Sequence, residues 1–95
     1  MFIVLNKCYG RFGLSDGFLR KYPEYKESRN SDECEFRTDK KFIQRIRDYG
    51  IYQACGDHAN LSIVSIPDDI TDYRLREYDG YEYIEYVKNG KIFDA

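Results

Sequence analysis

The sequence predicts an α+β fold: a single small domain whose antiparallel or mixed sheet of four to five strands carries two helices packed on one face. Three observations carry that expectation. Two short apolar runs, Phe2-Ile3-Val4-Leu5 and Leu61-Ser62-Ile63-Val64-Ser65-Ile66, are too brief for helices and rich in the β-branched residues that suit strands. One stretch, 38–50, has helical periodicity with cap signals at both ends. Two tyrosine-rich runs, 73–78 and 81–87, flank Asp79-Gly80, a dipeptide suited to the type I′ turn, which needs positive φ at both central positions.

In chain order, the unbroken apolar run at 2–5 reads as a central strand buried on both faces. It runs into Asn6-Lys7-Cys8-Tyr9-Gly10-Arg11-Phe12-Gly13-Leu14-Ser15, a junction punctuated by glycine. Ser15 supplies an N-cap and Asp16 a favourable charge for a short helix that Pro23 ends, with Phe18, Leu19 and Tyr22 on its apolar side. Residues 26–35 are polar and read as an exposed loop. Thr38 then reads as the N-cap of the second helix. Phe42, Ile43, Ile46 and Tyr49 form its inner face, Lys40, Lys41, Arg45 and Arg47 its solvated face, and Gly50 its C′ residue. In the run 61–66, Leu61 and Ile63 point one way and Val64 and Ile66 the other, which sets this strand beside the first until Pro67 stops it.

The Asp79-Gly80 turn fixes a register: Tyr78 opposite Tyr81, Glu77 opposite Glu82, Arg76 opposite Tyr83, Leu75 opposite Ile84, Arg74 opposite Glu85 and Tyr73 opposite Tyr86. It predicts an Arg74–Glu85 ion pair and a cation–π contact of Arg76 on Tyr83. Glu77 facing Glu82 is a like-charge pair that calls for a cation between them. Asn89-Gly90 offers one more hairpin turn before Ile92 and Phe93.

Composition bounds the rest. At 95 residues and 42% hydrophobic content, the chain can build one core, so 1–95 is one domain. Ten tyrosines and no tryptophan mean that much of its apolar area carries a hydroxyl, which places some of those rings at a surface. The net charge of −2 gives no reason to expect nucleic acid, but the halves differ: residues 1–50 hold eleven Lys/Arg against eight Asp/Glu, and residues 51–95 hold four against nine. No run approaches the roughly 20 apolar residues of a membrane span, and no secretory leader pattern is present, so no membrane partner is expected and the chain reads as intracellular and soluble. Three cysteines at irregular spacing read as free thiols rather than a disulfide framework.

Two constellations carry candidate chemistry. The first is the junction: Gly10 and Gly13 ahead of a helix N-terminus capped by Ser15, with Lys7, Tyr9 and Arg11 nearby, would hold a small anionic ligand such as a nucleotide. The chain lacks both the G-x-x-x-x-G-K-[ST] and the G-x-G-x-x-G patterns, so no cofactor is expected, and the glycines also suit a tight turn alone. Cys8 in this loop, with His58 as base, would make a nucleophile pair. Cys8, Cys34, Cys55 and His58 would complete a zinc set only if the fold gathers them, and their spacing gives just one close pair, so no metal is expected. The second constellation is the hairpin: Glu77, Tyr78, Asp79, Tyr81 and Glu82. Its carboxylates would serve as acid and base, as cation ligands, or as partners for Lys7 or Arg11, and the last predicts an ion pair between one of those cations and Glu77 or Glu82.

The order of motifs, Asn-Lys-Cys-Tyr-Gly-x-Phe-Gly-Leu-Ser at 6–15, Leu-Ser-Ile-Val-Ser-Ile-Pro-Asp-Asp at 61–69 and Glu-Tyr-Asp-Gly-x-Glu at 77–82, resembles a family of small uncharacterised proteins of bacteriophages and large DNA viruses. The likeness covers residues 2–19 and 39–86. It departs where Arg11 replaces a glycine and where 87–95 lacks the family's basic, aromatic ending. The resemblance implies a viral accessory role in the cytoplasm of an infected host cell. The expected function is a non-enzymatic binding module that engages a host protein through a tyrosine-rich acidic hairpin. Sequestration of a small anionic ligand at 10–15 stands behind it, and a small enzyme using Cys8 or the Glu77/Glu82 carboxylates behind that.

Overall fold

The computed structural model describes residues 1–27 and 35–95. The order of elements is β1 (Phe2–Asn6), α1 (Asp16–Lys21), 3-10 turns at Pro23–Tyr25 and Phe36–Thr38, α2 (Lys40–Tyr49), α3 (Ile51–Ala54), β2 (Leu61–Ser65), β3 (Asp72–Tyr78), β4 (Tyr81–Lys88) and β5 (Lys91–Asp94). This is the expected α+β domain, with five strands among the described residues, all antiparallel, but they divide between two sheets: a β1–β2 ribbon and a β3–β4–β5 meander.

The division follows from the side chains of the ribbon. Val4 on β1 and Leu61 on β2 face a core built with Phe18 and Leu19 of α1 and Phe42, Ile43 and Ile46 of α2, and Ile63 packs against it. Ile3 and Leu5 point the other way, with Val64 and Ile66, into a second core closed by Ile84 of β4. The ribbon is therefore the middle of three layers, with helices on one face as expected and the meander on the other. A strand covered on both faces has to be apolar on both, and that is the origin of the run Ile3-Val4-Leu5, all buried, whereas Phe2 at its start is exposed. β1 is central in this layered sense, because among the described residues β2 is its one paired neighbour.

Local signals place most element ends. Ser15 caps α1, its Oγ accepting the Phe18 N–H at 3.1 Å, and Pro23 opens a 3-10 turn rather than extending the helix. The cap of α2 is Asp39 rather than Thr38: its carboxylate accepts the Lys41 N–H at 3.1 Å, while Thr38 ends the preceding 3-10 turn and donates to the Glu35 carbonyl. Gly50 has φ +100 and separates α2 from α3, a four-residue helix with too few positions to show a period. In the expected loop 26–35, Lys26, Glu27 and Glu35 are exposed, and 28–34 lies outside the described residues.

The hairpin register agrees at all six predicted pairs, from Tyr78 opposite Tyr81 to Tyr73 opposite Tyr86. Asp79 and Gly80 have φ +49 and +87, and Asn89 and Gly90 have φ +53 and +74, so both turns carry the left-handed pair of a type I′ connection. The side chains do less than the register predicts. Among the described residues, Arg74 forms no ion pair with Glu85 and Arg76 makes no ring contact with Tyr83; the cation over a hairpin ring is Lys7, 4.9 Å from the centroid of Tyr81.

The two turn glycines allow a controlled test. A Cβ on Gly80 would overlap the Gly10 carbonyl oxygen, whereas one on Gly90 meets nothing within 4 Å. Both Gly→Ala changes add a left-handed penalty of about 1–2 kcal/mol. In urea unfolding, Gly80→Ala is expected to destabilise well beyond Gly90→Ala, the excess measuring the backbone contact; equal midpoints would remove that contact from the account.

Candidate functional site

The most polar buried point in the molecule lies where the end of β1 meets the start of β4. Glu82 is 2% exposed and Arg37 0% exposed. Arg37 Nη1 lies 2.5 Å from Glu82 Oε1. The same oxygen accepts the Asn6 backbone N–H at 2.8 Å, so the carboxylate satisfies a strand-edge donor that no strand reaches. The Arg37 guanidinium also sits over the Phe12 ring, 3.7 Å from its centroid. An ion pair so enclosed is sustained by its own geometry and added hydrogen bonds, because no water replaces either partner.

Asn6 extends this knot. Its Nδ2 donates to the Gly80 carbonyl at 2.8 Å and its Oδ1 accepts the Asn60 N–H at 2.7 Å. Around it two backbone segments, 7–13 and 56–60, close together through three bonds: the Arg11 N–H donates to the His58 carbonyl at 2.9 Å, the Lys7 N–H to Asn60 at 2.8 Å, and the Gly56 N–H to Gly13 at 2.9 Å. A Cβ on Gly10 would overlap the His58 carbonyl oxygen. Glycine at position 10 thus serves the approach of protein backbone. The Arg11 N–H, which an anion at the loop would need, is already donated, and α1 is six residues long.

The like-charge pair in the hairpin is resolved by Arg37, a cation from outside both motifs, with Glu77 turned to accept the Gly80 N–H. The expected ion pair of Lys7 or Arg11 with Glu77 or Glu82 is absent among the described residues. Lys7 instead donates to the Ala95 oxygen at 3.3 Å while its ammonium covers Tyr81. Burial lowers its pKa from the ordinary 10.5, and the nearby Glu82 charge partly restores it. The two motifs do meet, through Asn6, Gly80 and Glu82 rather than through an exposed cation.

Cys8 Sγ lies 3.3 Å from both Asn6 Oδ1 and the carbonyl oxygen of His58, and these are the contacts it makes there. Cys55 Sγ is engaged elsewhere, donating to the Ile51 carbonyl and accepting the Leu61 N–H. Among the described residues no three His, Cys, Asp or Glu side chains are grouped to hold a metal ion, and Cys34 lies outside them. Ser15 ties α1 to α3, its hydroxyl donating to the Gln53 carbonyl at 2.6 Å.

The tyrosines behave differently. Tyr9 is 75% and Tyr78 68% exposed. Tyr9 packs on Tyr81 with ring centroids 5.6 Å apart, and Tyr81 stands opposite Tyr78 across the turn. Asp79 is exposed at the tip, as is Arg11, whose N–H lies close beside Gly80. Sequence reasoning named these rings and missed Arg37 and Asn6. A polar residue closing an apolar run was the available sign of Asn6; Arg37 follows a polar stretch and had none.

None of the protein-family models, curated proteins or solved structures compared with this chain matches it. No helix among the described residues is long and apolar enough to cross a membrane.

Breaking the buried pair is expected to be costly. Arg37→Met or Glu82→Gln alone should lose about 3–5 kcal/mol, and the double variant clearly less than the sum, in urea unfolding; additive losses would mean that the pair is not coupled. Lys7 should titrate below 10.5 by side-chain NMR, and further below it in Glu82→Gln, which removes the charge that raises it. Between that lowered value and 10.5 the unfolded chain binds more protons, so the Lys7 contribution to stability rises with pH. Lys7→Met should abolish this rise when unfolding at neutral and alkaline pH is compared.

Proposed function

We propose that this chain is a non-enzymatic binding module that engages a partner protein through the aromatic tip formed by Tyr9, Tyr78 and Tyr81. The observation that carries the reading is the exposure of Tyr9 and Tyr78 on backbone held at both ends, one on the glycine junction and the other on a type I′ hairpin. Rings with polar tips and few rotatable bonds lose little entropy on binding, which makes them effective interface anchors. In the viral accessory role that the sequence motifs suggest, the partner is a host protein.

The geometry changes the expected chemistry of the hairpin. Glu82 is enclosed, while Glu77 stays exposed and accepts the N–H of its own turn, so the acidic character foreseen for this surface falls to Glu77 and Asp79, beside Lys7 and Arg11. Those commitments also weigh against the carboxylates as an acid–base pair, as the donated Arg11 N–H weighs against an anion at the loop.

Quantitative affinity capture from host lysate tests the reading. A Tyr9→Ala/Tyr78→Ala variant should bind roughly 30-fold or more weakly, the scale of an interface hot spot. Tyr52→Ala, which removes an 81% exposed ring on α3, should bind as the parent does. Equal capture by all three proteins would remove the aromatic tip as the binding surface.

A further inference from the structure

We propose that the free edge of β3 receives an acidic, extended segment of the partner protein, which adds as a strand beside β3 and sets its carboxylates against Arg74 and Arg76. This deepens the binding-module reading and rests on it.

The edge is defined by the hairpin. β3 lies at one side of the meander and, among the described residues, pairs only with β4. Tyr78 and Tyr81 flank a two-residue turn and so form a hydrogen-bonded pair. Alternation then aims the backbone groups of Arg74, Arg76 and Tyr78 at β4 and those of Tyr73, Leu75 and Glu77 outward. The other side of β4 agrees, because Ile84 exchanges both of its backbone bonds with Ala95. The Tyr73 N–H is taken by Asp72 Oδ1 at 2.9 Å. The N–H and C=O groups of Leu75 and Glu77 have no protein partner among the described residues.

The outer face of the same strand supplies the specificity. Arg74, Arg76 and Tyr78 share it with Asp72, all four exposed, and half-buried Glu85 stands opposite Arg74 on β4 without forming an ion pair with it among the described residues. Glu82 and Ile84 are buried on the opposite face, where Glu77 also lies. Among the described residues the two guanidinium groups have no ion pair, hydrogen bond or ring contact. They stand two positions apart, roughly 7 Å along a strand, the same repeat as acidic side chains at alternate positions of an added strand. The line of Arg74 and Arg76 leads to Tyr78, so one segment would reach both the edge and the aromatic tip. A second copy of the chain is a poor occupant: in the antiparallel registers of greatest overlap between two β3 edges, an arginine of one copy falls opposite an arginine of the other.

The test uses the whole protein, isotope-labelled for NMR, with three probes: a capped peptide alternating glutamate and threonine, its lysine counterpart, and oligo-dT. The glutamate peptide should shift the Leu75 and Glu77 amides and slow their hydrogen exchange roughly tenfold. The Arg74→Glu/Arg76→Glu variant should transfer that response to the lysine peptide. Absence of slowing at Leu75 and Glu77, or an equal response of the parent protein to both peptides, overturns the proposal. A stronger response to oligo-dT also overturns it and assigns the face to single-stranded nucleic acid. Lysate capture separates the two levels of the reading, given that all four substituted side chains are exposed and the variants should keep the parent urea midpoint. Loss of capture in both the arginine and the tyrosine variants supports the edge. Loss in Tyr9→Ala/Tyr78→Ala alone removes the edge and leaves the tip, and loss in neither removes the tip as well.

Discussion

The Glu82 carboxylate joins three separate parts of the chain at one enclosed point. It accepts from the last backbone donor of β1, pairs with a guanidinium delivered by the 3-10 turn before α2, and belongs to a strand of the meander. Each of the three layers therefore contributes to one enclosed polar contact. An apolar side chain at position 82 would leave the Asn6 N–H and the Arg37 charge without that acceptor in a dry site, so the arrangement is one in which each member requires the others. Apolar contacts hold the layers face to face, and this contact fixes how far each slides along its neighbour.

That dependence explains what could be read from the sequence. Periodicity and turn chemistry are local, and they located both ribbon strands, the two longer helices and the hairpin with its register. The facing of Leu61 and Ile63 against Val64 and Ile66 was also legible, because alternation along a strand is a local rule. The division into two sheets was not, since an apolar run at 2–5 says that both faces are covered without saying by what. Nor was the partner of Glu82. Spacing showed that the Glu77–Glu82 pair needed a cation, but the choice among Lys7, Arg11 and Arg37 is made by the tertiary path of residues far apart in the chain.

At the candidate site, the names of the exposed rings were legible and the sign of their surroundings was not. Residues 51–95 carry an excess of acid, and a hairpin rich in glutamate reads as acidic. Strand alternation sorts the residues by face: Glu77 and Glu82 share one, with Glu82 alone of the two enclosed, and Arg74, Arg76 and Glu85 share the other. In the junction at 6–15 the Lys7, Arg11 and Ser15 N–H groups are already donated to protein carbonyls, and the chain passes backbone against backbone at His58 and Gly80.

The place of the ribbon in the chain has a consequence for the order of folding. The meander is built from neighbouring residues through two tight turns and can form early. The ribbon requires Phe2 to find Ser65 across nearly everything between them. Until it does, neither apolar cluster has its wall, since Val4 belongs to one and Ile3 and Leu5 to the other. The centre of this molecule therefore rests on its longest-range strand pairing, and both apolar clusters stay incomplete until the two ribbon strands have met.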